Sequence, residues 1–81
     1  MTLEQLKKRL DSHGIPAETV RVWNHYGQDV PALRVRHDYE GYYRTDEARA
    51  IQQTAHRIAT RAGFDADDRN TATIITYKRE V

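Results

Sequence analysis

Between Thr45 and Gly63 the apolar residues Ala48, Ile51, Ala55, Ile58 and Ala62 recur at alternating steps of three and four, and Ala59 widens the stripe. That spacing is the period of one helix face. Thr45 is the expected N-cap. Asp46 and Glu47 follow in the first turn, where the macrodipole favours negative charge, and Arg57 and Arg61 stand near the other end. Gly63 is placed to close the helix in the left-handed conformation, with Phe64 as the hydrophobic residue after it. A stripe of mostly short side chains lets this helix lie close to a covering sheet. On this reading Ile51 and Ile58 are its anchors, and truncating either to Ala should cost about 2–4 kcal/mol.

A second helix is written at the start of the chain. Thr2 is a cap with Gln5 at the capping-box position, and Leu3, Leu6 and Leu10 form a narrow apolar stripe. His13 is expected as the last helical residue and Gly14 as the left-handed residue after it. Ile15 then folds back towards Leu10, and Pro16 stops the helix from resuming. Both helices thus end in Gly plus an apolar residue. We read that echo as shared capping chemistry rather than as a repeat.

The remaining segments read as strands. Thr19 to Tyr26 alternates Val20 and Val22 with Arg21 and Trp23. Gly27-Gln28-Asp29 is a turn signal. Val30 to Asp38 returns, with Leu33 and Val35 alternating against Arg34 and Arg36, and the pair makes a β-hairpin. Asp65 to Asn70 reads as a polar loop, and Thr71 to Lys78 as the last strand. The expected fold is a single α+β domain over residues 1–81, in the order α-β-β-α-β. It is a three-stranded sheet with both helices packed on one face. The last strand, lacking Pro and guarded only by Lys78, is expected to be free to pair with that of a second copy in a homodimer.

Composition narrows the function classes. The 81 residues contain no cysteine, which removes disulfides and thiolate zinc sites and points to a reducing, cytoplasmic compartment. No apolar run is long enough to span a membrane, and Met1-Thr2-Leu3-Glu4 does not open a signal peptide. The 13 basic and 12 acidic side chains balance to a formal net charge of +1, which neither demands nor excludes nucleic acid. The histidines His13, His25, His37 and His56 form no H-x-H or H-x-x-x-H pair, so no metal and no cofactor are expected. The stretch His37 to Arg44 supplies the side-chain types of a small toxin-type ribonuclease, but strand alternation sends His37 and Tyr39 to one face and Asp38 and Glu40 to the other.

The feature that points to function is the polar face of the hairpin. If Val20, Val22, Leu33 and Val35 face the core, then Arg21, Trp23, His25, Arg34 and Arg36 share the opposite face. Trp and Arg are the residue types enriched at the centres of protein interfaces, and Arg stacked on Trp is a cation–π arrangement. Tyr39, Tyr42 and Tyr43 follow nearby in sequence. The bland alternative is a Trp covered by a loop, with arginine stems lying over it. The expected function is therefore a non-catalytic binding or regulatory protein, docking on a protein partner through the outer hairpin face. Small motif-free chains of this kind are common among phage and plasmid accessory proteins. The alternatives are direct RNA or DNA binding and, behind it, the ribonuclease. A basic strip through Arg49, His56 and Arg57 on the second helix reads as a solvated face.

Overall fold

The computed structural model describes residues 1–23, 26–36, 46–69 and 72–78. Its elements are α1 (Leu3–Ser12), β1 (Glu18–Trp23), β2 (Asp29–Arg36), α2 (Asp46–Arg61), β3 (Phe64–Asp68) and β4 (Ala72–Tyr77). The four strands form one antiparallel sheet in the order β1-β2-β4-β3. The expected three-stranded sheet is therefore corrected to four strands and the order to α-β-β-α-β-β. The segment read as a polar loop is itself a strand. Phe64-Asp65-Ala66-Asp67-Asp68 has little β propensity, yet it pairs along its length with β4. Tertiary pairing has overridden composition. A second correction follows. The last strand is not an edge: it is flanked by β2 and β3, so the expected homodimer through residues 71–78 has no free ladder to use.

Helix termini follow local chemistry. Thr2 Oγ1 accepts from the Gln5 N–H at 3.2 Å and Gln5 Oε1 accepts from the Thr2 N–H at 2.8 Å, closing the capping box. At the other end of α1, Gly14 takes φ +74°, its N–H reaches Asp11 O at 2.9 Å, and the Ile15 N–H reaches Leu10 O at 2.9 Å. These are the two bonds of a Schellman motif. Helix α1 ends at Ser12, with His13 as its cap rather than its last turn. Gly63 ends α2 at φ +89°, and the expected N-cap Thr45 lies outside the described residues.

Both helices cover the same face of the sheet. Leu3, Leu6, Leu10 and Ile15 from α1 and its cap meet Ala55 and Ala59 of α2 over Leu33, Val35, Phe64 and Ile75. The most buried part of the α2 stripe is alanine: Ala48, Ala55 and Ala59 are buried, whereas Ile51 and Ile58 are partly exposed and pack around the core. The adjacent Ile74 and Ile75 are both buried, Ile75 under the helices and Ile74 on the other face beside Ala32 and Ala72.

Among the described residues the element order itself runs α-β-β twice. Each helix, its Gly-apolar terminator and the hairpin after it form one αββ half. The halves meet where β2 pairs with β4. There Leu33 faces Ile75, Arg34 faces Ile74 and Val35 faces Thr73.

Candidate functional site

Among the described residues β1 is an edge strand, and its pairing with β2 decides where the expected site residues go. Thr19 lies opposite Leu33, Val20 opposite Ala32, Arg21 opposite Pro31, Val22 opposite Val30 and Trp23 opposite Asp29. Residues opposite one another share a face. Thr19, Arg21 and Trp23 therefore stand on the helix-bearing face with Leu33 and Val35, and Val20 and Val22 stand on the other with Arg34 and Arg36. The single face expected to gather Arg21, Trp23, Arg34 and Arg36 does not exist. The true register differs by one residue from the one that buries Val20 and Val22 beside Leu33, and a one-residue difference exchanges the faces. His25 lies outside the described residues, as does the stretch 37–44 with its acid–base side chains.

The arginines are also less free than their number implies. Arg21 Nε donates to Asp29 Oδ2 at 2.9 Å, and Arg21 Nη2 donates to the Asp29 carbonyl at 3.2 Å. Arg34 Nε donates to Glu18 Oε1 at 2.6 Å. Glu18 lies directly opposite Arg34 and Asp29 diagonally across from Arg21, and the register keeps Arg21 on the other face from Arg34 and Arg36, so the three arginines do not crowd one another. Both pairs are solvent-exposed and contribute little to stability. The hydrogen bond from Arg34, with the charges of Arg34 and Arg36 behind it, still holds the Glu18 carboxyl below the ordinary glutamate range. The same bond raises the Arg34 guanidinium. The contribution of Glu18 to stability is thus present above its unfolded pKa and is lost as the pH falls through the lowered folded value. Arg34→Leu is expected to return the Glu18 midpoint, followed by the NMR shift of its carboxyl carbon, towards the ordinary glutamate value. An unchanged midpoint would mean that the bond does not persist in solution.

What remains at the far end of the hairpin is aromatic. Trp23 is 75% exposed and Tyr26, in the turn, 69%. Trp23 lies within a paired strand on the helix side, at an end that neither helix covers.

A second constellation lies between α2 and β3. Asp68 Oδ1 accepts from the buried Thr73 hydroxyl at 2.9 Å, and Asp68 Oδ2 lies 3.0 Å from His56 Nδ1. That second contact is close without being a hydrogen bond, because the carboxylate is out of line for the ring N–H. Gln52, Gln53, Arg57 and Thr60 complete an open groove of about 480 Å³. The Thr60 hydroxyl is turned back onto its own helix, bonded to the His56 carbonyl at 2.9 Å. The sequence reading missed Asp68 because it placed residues 65–70 in a loop. The signal available was the alternation of Phe64 and Ala66 with Asp65 and Asp67. The arrangement ties α2 to the second hairpin and places one imidazole beside one arginine. Among the described residues no three metal-ligating side chains converge, and no helix is long and apolar enough to cross a membrane.

Comparison with protein-family models, with curated proteins and with solved structures returned no match.

Proposed function

We propose that the protein is a non-catalytic binding protein that docks a protein partner through the outer margin of its first hairpin. The observation that carries this reading is the exposure of Trp23, the only tryptophan of the chain, at 75% inside a regular strand. Leaving an indole in water forgoes the burial free energy of a large aromatic side chain, and such residues serve as interface anchors. A protein target is favoured over nucleic acid by the charges around it. Arg21 is neutralised by Asp29 and Arg34 by Glu18, so the margin offers phosphates little uncompensated positive charge.

Iodide is expected to quench Trp23 in dilute free protein, and bound partner to shield it. Trp23→Ala should cost at least ~2 kcal/mol in affinity, as a central anchor does, and change the denaturation midpoint little. Partner capture that is indifferent to Trp23→Ala would overturn the reading. So would steeply salt-dependent binding to oligonucleotides, which would make nucleic acid the target.

A further inference from the structure

The two edges of the sheet are not alike. Edge strand β3 carries three carboxylates in five residues: Asp65, Asp67, which is ion-paired to the neighbouring Arg69, and Asp68, which is turned to His56 and Thr73. Bringing two such edges together would oppose carboxylates, which is one way an edge is kept from pairing. Edge strand β1 carries Glu18 and Arg21, and each is paired within its own hairpin to Arg34 and Asp29. The rest of β1 is Thr19, Val20, Val22 and Trp23, a β-branched and aromatic strand with no uncompensated charge among these residues. As an edge among the described residues, it presents a row of backbone N–H and C=O groups outward.

We propose that β1 pairs antiparallel with β1 of a second copy of this chain, about a two-fold axis at Val20, and that Trp23 is the side chain this pairing covers. The proposal rests on the docking reading above and names its partner. The register is selected by charge and shape. Centred on Arg21, the pairing would set the two Arg21 side chains directly opposite, which is unfavourable. Centred on Val20, it sets Val20 against Val20, Glu18 against Val22 and Thr19 against Arg21. Trp23 then lies opposite Ala17, a small residue at the margin of the partner's core. The indole stands on the helix-bearing side of the sheet, so it would lie over the start of the partner's β1. The two sheets would join into one of eight strands, with the acidic β3 at both outer ends. The junction is a closed two-fold, the commonest symmetry of small assemblies. A head-to-tail pairing of β1 with β3 would instead leave edges open and propagate.

Sedimentation equilibrium of the full chain should give a dimer that dissociates on dilution, with a red shift of Trp23 emission as it does so. Thr19→Lys sets lysine opposite Arg21 twice per dimer and is expected to weaken association by about tenfold. Thr19→Glu has a similar cost in strand propensity but the opposite charge, and should leave the dimer in place. The chain has no cysteine, so Val20→Cys under oxidised glutathione should give a disulfide-linked dimer, and Arg21→Cys should not. A monomer up to roughly 1 mM, the limit of weak specific contacts, would overturn the proposal. A dimer equally sensitive to both Thr19 substitutions, or species heavier than a dimer, would also overturn it. These outcomes are separable from failure of the docking reading. A monomer that still captures another protein through Trp23 removes only the second copy, a dimer with Trp23 fully open to iodide removes this pairing and leaves Trp23 to another partner, and partner capture indifferent to Trp23→Ala removes the docking reading.

Discussion

Leu33→Ala is expected to leave the domain largely unfolded. Leu33 is wholly buried, stands on the second strand of the sheet opposite Ile75, and lies under residues from both helices. Truncation removes its transfer free energy and opens a cavity between two helices and a sheet, at a cost of about 3–5 kcal/mol. An 81-residue domain has a total on the order of 5 kcal/mol to lose. Urea denaturation followed by circular dichroism should show the midpoint near zero denaturant, and Ile75→Ala should do nearly the same. Because the two side chains share one contact, the double substitution should cost less than the sum of the singles. A midpoint that stays in place would mean that Leu33 does not face the helices, and the strand register would then be wrong.

Ala59→Leu is expected to destabilise as well, from the opposite direction. Ala55 and Ala59 are wholly buried where α2 meets the sheet and α1. Three added carbons at Ala59 must push the helix outward or force neighbours from their rotamers, at about 1–3 kcal/mol. Leucine is as good a helix former as the site requires, so the loss cannot come from propensity. The same geometry lowers the effect expected at the isoleucines. Ile51 and Ile58 flank the contact and keep part of their surface in water, so truncating either should fall at or below the low end of the 2–4 kcal/mol range for a fully buried residue. Should Ala59→Leu raise the midpoint instead, the helix would be under-packed and the burial at its centre overstated.

What the sequence disclosed and what it hid divide along physical lines. The helix ends were readable because capping is local: Thr2 with Gln5, Gly14 with Ile15 and Gly63 with Phe64 each lie within a few residues. The fourth strand was not readable, because Asp65, Asp67 and Asp68 are poor strand formers. Their segment is held by its ladder to β4 and by Phe64 packed on Tyr77, with ring centroids 5.5 Å apart. The faces of the first hairpin were ambiguous for another reason. Both parities of β1 carry an apolar residue, Val20 and Val22 on one side and Trp23 on the other. Both parities of β2 bury one too, Ala32 on one side and Leu33 on the other. Alternation therefore could not choose the register. Trp23 was expected to be accessible and is, although it parts company with Arg34 and Arg36. Asp68 became visible as a partner of His56 and Thr73 only once its strand was in place.

The position of β4 has a consequence for biosynthesis. A ribosome releases β2 long before β4, yet β4 is the strand that sits against it. Until the later strand inserts, a nascent chain carries the inner side of β2 unpaired and Leu33 without Ile75. The emerging half is then open to the associations that exposed strands invite. Closing the domain requires contacts between residues about half a chain apart, which slows folding relative to a fold of adjacent hairpins. A chain stopped short of Ala72 would lose the centre of the sheet rather than its margin, and is expected to be removed by proteolysis rather than to persist as a smaller domain.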